Sequence, residues 1–166
     1  MTTMDNAEEA YAGESQANRR YEIFAEKAEA EGYPNVAKLF RAASQAEAVH
    51  AKRLLLVLNK LGSTEENLKE SVSGETEEYT EMYPAFVKTA NEEGENEAAT
   101  VFTHAMKAEE VHAGRYGKAL EAVSAGNDYQ LSKVYLCPVC GNIEIDSIPE
   151  RCPICGVPAR MFREVE

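Results

Sequence analysis

Residues 24–53, FAEKAEAEGYPNVAKLFRAASQAEAVHAKR, and residues 86–115, FVKTANEEGENEAATVFTHAMKAEEVHAGR, are two versions of one segment, offset by 62 positions (24 to 86). Phe24/Phe86, Glu31/Glu93, Gly32/Gly94, Ala37/Ala99, Phe40/Phe102, Glu47/Glu109, Val49/Val111, His50/His112 and Arg53/Arg115 coincide, and Tyr21 falls on Tyr83. Each copy reads as helix, glycine turn, helix. A duplicated helical hairpin predicts a four-helix bundle in which the two hairpins are related by a pseudo-twofold axis.

Around and within these segments the apolar spacing predicts helices over about 6–31, 34–61, 74–93 and 95–124. The connecting GSTEENLKES carries Ser63 followed three residues on by Glu66, a capping-box pattern that predicts a short helix in the crossover. Pro84 falls inside the third pattern and predicts a kink there. Around residue 127 the chain turns rich in Pro, Cys, Ile and Val, with no helical period. The expected domains are therefore 1–128, helical, and 129–166, small and in need of a staple, because so short a segment has too little apolar surface to stabilise itself.

Glu47-Ala-Val-His50 and Glu109-Glu-Val-His112 each put a carboxylate and an imidazole three residues apart, on one face of a helix. Bundle di-metal sites add one Glu from each of the other two helices. The first helix offers Glu14; the third offers Glu75, Glu78 and Glu81, which spacing alone leaves tied. Several carboxylates converging in a low-dielectric interior would have to take up protons unless cations neutralised them. Oxygen donors with two imidazoles suit iron or manganese. His104 has Ala42 as its repeat mate and lacks the Glu-x-x-His setting, so it reads as an ordinary histidine.

The four cysteines form two C-P-x-C-G turns, Cys137/Cys140 and Cys152/Cys155. In each, the glycine permits a positive φ that brings backbone N–H groups towards the sulfurs. Four thiolates so arranged make a tetrahedral site for zinc or a single iron, and spacing does not separate the two. Net charge is -12 and the pI about 4.8, which argues against a nucleic-acid groove or an anionic membrane as partner. The longest aliphatic run, LLLVL at 54–58, is too short to span a bilayer, and no targeting segment is visible, so a cytoplasmic protein is expected. In that reducing compartment paired C-x-x-C motifs are metal ligands rather than disulfides.

The set AGESQANRRY, AEAVHAKR, EEYTEMYP, AEEVHAGR and paired C-P-x-C-G resembles the rubrerythrins over nearly the whole chain. The resemblance implies a ferritin-like di-iron four-helix bundle followed by a small β-rich, rubredoxin-like domain holding one iron. It implies Glu14, Glu47, His50, Glu78, Glu81, Glu109 and His112 as bundle ligands, choosing Glu78 and Glu81 over Glu75, with Cys137, Cys140, Cys152 and Cys155 as the second set. It also implies that Glu81 and His50 exchange at one iron as the oxidation state changes, making these two the expected catalytic pair. Tyr21 and Tyr83 match aromatic positions near the site. Asn142 departs from rubredoxin-like knuckles, which often carry an aromatic residue there. The implied activity is an NAD(P)H-linked peroxidase that reduces hydrogen peroxide and is re-reduced through the cysteine iron by an external reductase or rubredoxin. The implied assembly is a head-to-tail homodimer, with the cysteine domain serving the partner's bundle because its own lies too far away. The rival reading is a ferroxidase or iron store whose tail is a structural zinc ribbon.

Overall fold

A computed structural model describes the whole chain, residues 1–166, and divides it into two compact units, Met1–Gly62 and Ser63–Glu166. The fold is helical, with a small antiparallel sheet at the C-terminal end.

The first unit is a hairpin of α1 (Thr3–Ala30) and α2 (Pro34–Val57). Thr2 caps α1: its hydroxyl accepts from the Asp5 N–H and the Asp5 carboxylate accepts from the Thr2 N–H. Gly32, at φ 84°, lets the chain reverse, and Pro34 starts α2 where a missing N–H costs nothing. Ala7, Ala17, Ala25, Ala28 and Ala37 are buried, so the helices approach closely. Tyr21, Phe24 and Phe40 interlock beside them, with ring centroids 5.6–6.2 Å apart. A polar clasp fixes the register between the helices. Asn18 Nδ2 donates to the Ser44 carbonyl at 2.7 Å, and Ser44 Oγ donates to the Asn18 carbonyl at 2.9 Å.

The second unit repeats this plan with a longer first arm. Here α3 (Thr64–Glu77), a π-helical turn (Glu78–Met82) and α4 (Tyr83–Glu93) form one continuous arm, which returns as α5 (Asn96–Ser124) after Gly94 at φ 78°. The Ser63–Glu66 capping box is present, but it opens the main arm. The expected separate crossover helix is therefore the start of that arm, and the connection shrinks to residues 58–63. The expected kink at Pro84 takes the form of the wide turn just before it. Pro84 has no N–H to offer the Thr80 carbonyl, and the chain responds by widening, with Tyr83 N–H bonding the Glu78 carbonyl five residues back. Tyr83, Phe86 and Phe102 interlock at 5.6–6.3 Å, matching their repeat mates in the first hairpin.

After α5 the chain forms β1 (Val134–Leu136), β2 (Ile143–Ile145) and β3 (Arg163–Val165) in the order β2-β1-β3, both pairings antiparallel. One cysteine knuckle joins β1 to β2 and the other precedes β3, so the sheet is a frame for the two turns. Asp146, at φ 63°, ties the entry by accepting from Ser132 and Lys133 backbone N–H groups. No helix is long and apolar enough to cross a membrane.

Candidate metal centres

Three groups of side chains bring potential ligand atoms within 4.8 Å of one another: Glu14, Glu47 and His50; Glu75, Glu109 and His112; and the four cysteines. In the first hairpin, His50 Nδ1 lies 2.9 Å from Glu47 Oε2 and 3.7 Å from Glu14 Oε1. In the second unit, His112 Nδ1 lies 2.7 Å from Glu109 Oε2 and 3.7 Å from Glu75 Oε2. The two triads are built alike: a Glu-x-x-His helix supplies two members and the opposing helix one carboxylate. His104 belongs to neither and lines a shallow groove with Asn91 and Asn96.

The structure gathers Glu14, Glu47 and His50 in one triad and Glu109 and His112, joined by Glu75, in another. Glu78 lies near enough to feel the charges of Glu109 and His112. Glu81 does not join: it is exposed and lines an open groove with Lys69, Thr76, Glu77 and Thr80. Glu75 lies in α3 and Glu81 inside the π turn, so regular α-helical spacing does not carry one onto the face of the other. The π turn explains why sequence register pointed past Glu75. A π turn holds one extra residue, so Tyr21 pairs with Tyr83 at an offset of 62 after it, while Glu14 pairs with Glu75 at 61 before it. The signal was present as a slip of one position: at the constant offset Glu14 meets Thr76, which is no ligand.

The carboxylates repel one another in the way a cation would relieve. Burial, then the hydrogen bond to Glu109 and the charges of Glu109 and Glu78, push Glu75 up to about 8. Glu78 is raised by burial and by Glu109. The first triad behaves differently. Glu14 is raised and Glu47 lowered, each chiefly by the hydrogen bond between them. Clustered oxygens with one imidazole each fit a divalent iron or manganese ion.

The knuckles are paired turns with matching backbone bonds. Gly141 N–H bonds the Cys137 carbonyl at 3.0 Å and Gly156 N–H bonds that of Cys152 at 2.9 Å, both glycines lying near φ 80°. Cys137 Sγ is 3.6 Å from Cys155 Sγ and Cys140 Sγ 3.5 Å from Cys152 Sγ. A metal bound at about 2.3 Å to four sulfurs needs edges of about 3.8 Å, so the cage fits one tetrahedral ion. Backbone N–H groups aimed at Cys152 oppose the effect of its burial and leave the thiol at about 7, ready to bind as thiolate.

The cysteine domain rests on its own chain. His112 Nε2 donates to the Gly141 carbonyl at 2.9 Å, and Arg115 Nη2 donates to Glu144 Oε2 at 3.4 Å. The expectation that this domain lies far from its own helical ligands is therefore corrected: the first knuckle touches the second triad directly. Metal-bound histidines commonly hand their other ring N–H to such a carbonyl, which fixes the tautomer and leaves Nδ1 as the ligand atom.

The chain matches the family model for rubrerythrin over residues 5–120 and that for the rubrerythrin rubredoxin-like domain over residues 135–163. It is similar to rubrerythrin-2 of Clostridium acetobutylicum, at 38% identity over 97% of this chain and 95% of that protein. Nigerythrin of Nitratidesulfovibrio vulgaris is 37% identical over 97% of this chain and 85% of its own. A solved structure of nigerythrin in a partially reduced state superposes with a TM-score of 0.58 at 36% identity, covering 99% of this chain and 87% of the other.

Proposed function

The chain belongs to the rubrerythrin family, and on that footing we propose that it reduces hydrogen peroxide to water with two electrons and two protons. The observation that carries this reading is the hydrogen bond from His112 to the Gly141 carbonyl, which joins a carboxylate–imidazole triad to the four-cysteine turn. Iron in the triads would supply the two electrons that the O–O bond takes up, and iron among the cysteines would replace them one at a time.

The chain's own residues then have distinct tasks. Glu47 with His50 and Glu109 with His112 would hold metal from one helix each, and Glu14 and Glu75 close the triads from the opposing helices. Glu78, one helical turn from Glu75, is the next carboxylate available to that ion. Glu75 would give up to a bound cation the proton that burial otherwise keeps on it. The Cys140–Gly141 backbone and the His112 ring form a short bonded route for electrons into the second triad. An external NAD(P)H-linked reductase or a rubredoxin would supply the cysteine centre. A homodimer in a reducing cytoplasm is compatible with this arrangement.

The cysteine cage fits zinc as well as iron, which supports a second reading, iron handling with a structural zinc ribbon. Visible spectra separate the two. Protein produced with iron should be red, bleach on anaerobic reduction, and regain its colour in proportion to added peroxide, faster than with dioxygen. A colourless tail, or iron mineral accumulating without peroxide turnover, would sink the peroxidase reading.

A further inference from the structure

The two cysteine knuckles contain an internal control. Cys137-Pro-Val-Cys140-Gly141-Asn142 and Cys152-Pro-Ile-Cys155-Gly156-Val157 have the same backbone bonds: Cys137 N–H to the Asn142 carbonyl at 2.9 Å and Cys152 N–H to the Val157 carbonyl at 2.8 Å. Valine meets every backbone requirement of this position in the second turn, so the amide of Asn142 serves some other end in the first. That side chain is fully buried. Its Nδ2 donates to Glu144 Oε1 at 2.9 Å and lies 3.9 Å from Cys152 Sγ, while its Oδ1 is buried without a partner. The orientation follows from chemistry: both neighbours of the NH2 group are acceptors, and the reversed amide would set an oxygen against a carboxylate and a thiolate. An orphaned buried carbonyl is unfavourable, and an apolar side chain of similar size would avoid it. Keeping asparagine makes physical sense for the sake of its donor.

Glu144 fixes that donor. One carboxylate oxygen receives Asn142 Nδ2 and the other receives Arg115 Nη2 from α5. Arg115 also offsets the negative charge that Glu144 would otherwise bring close to the thiolates. The result is a polar chain from α5, through Glu144 and Asn142, to a sulfur of the cage.

We propose that Asn142 is a positioning residue that raises the reduction potential of iron held by Cys137, Cys140, Cys152 and Cys155, by donating an N–H to the Cys152 thiolate from a place braced by Glu144 and Arg115. A hydrogen bond to a thiolate withdraws charge from the ligand and favours the ferrous state, whose site carries one more negative charge. The inference rests on the reading that this cage holds iron.

The test is a redox titration of the full-length, iron-loaded chain with mediator dyes, followed at the visible tetrathiolate absorption. The variants are Asn142→Val, the residue the second knuckle already uses, and Asn142→Leu, which fills more of the space. In each, the ratio of oxidised to reduced protein at a fixed solution potential should rise about tenfold, a fall in midpoint of about 59 mV for a one-electron couple. A midpoint unchanged or raised in either variant that keeps its colour and its iron overturns the proposal and leaves the iron reading intact. Loss of the cage in both would assign Asn142 to cage assembly and overturn the proposal too. A wild-type protein that holds only zinc and has no colour overturns the iron reading and the proposal together.

Discussion

The two triads share a motif and a geometry but sit in different surroundings. Glu14, Glu47 and His50 lie between α1 and α2, and the His50 side chain is 52% exposed. Glu75, Glu109 and His112 are backed by the cysteine domain, and His112 is 17% exposed. In the first triad the hydrogen bond between the two carboxylates shifts Glu14 up and Glu47 down; in the second, burial adds to the repulsion and drives Glu75 to about 8. A duplicated sequence therefore gave two copies of a ligand set while the appended domain made them unequal. The backed copy is the side through which electrons enter in the proposed mechanism.

The largest effect is expected from removing the residue that separates the two registers. Deleting Thr80 should convert the π turn to α-helix and rotate Glu75 by about 100° away from His112. Metal analysis should then find the second triad depleted and the first unaffected, whereas Glu81→Gln should leave metal content unchanged. Equal occupancy in the deletion variant would refute the register argument.

The histidines give the next contrast. His112→Ala should slow re-reduction of the helical centre by the cysteine iron at least about 10–100-fold, the loss typical of removing a ligand's outer hydrogen bond alone. His50→Ala should change that step far less. Stopped-flow mixing, monitored at the red absorption, checks both.

Proton linkage sharpens the difference further. Folded Glu75 titrates at about 8 against an ordinary 4.5, so the folded, metal-free chain holds more protons than the unfolded chain between those values. Its stability must fall as pH rises through that window. Glu75→Gln should flatten the slope in denaturant titrations of the metal-free protein. Glu14→Gln should alter it less, because Glu14 and Glu47 are shifted in opposite directions. A slope that survives Glu75→Gln would assign the linkage to another group. The smallest effect is local: Ser63→Ala removes the α3 cap and should cost about 1 kcal/mol, read by chemical denaturation, without touching either triad.

What the sequence disclosed and what it hid divide along the range of the interactions. Glu47 with His50, and Glu109 with His112, were legible because three residues within one α-helix fix a shared face whatever surrounds it. The cysteine cage was legible for the same reason, each turn closing on itself through its own backbone. Glu75 was only one of three tied candidates, because its facing depends on a wide turn that Pro84 imposes further along the helix and that shows in the sequence only as a one-residue slip of the repeat. The seat of the cysteine domain on its own α5 was hidden too. Its main contact joins His112 to a main-chain oxygen 29 residues away, and no side-chain pattern records a carbonyl.

That last contact has a consequence for how the protein tolerates mutation. The acceptor at position 141 belongs to the backbone, so no codon change there can delete it. Exchanging Gly141 would strain a residue at φ 80° and bring a new Cβ to 3.9 Å from Ala108 Cβ, yet the oxygen would still be present. Only the histidine end of the link is open to ordinary substitution. A connection anchored this way has half the mutational target of one made between two side chains, and its chemistry stays the same through every change of residue at its far end.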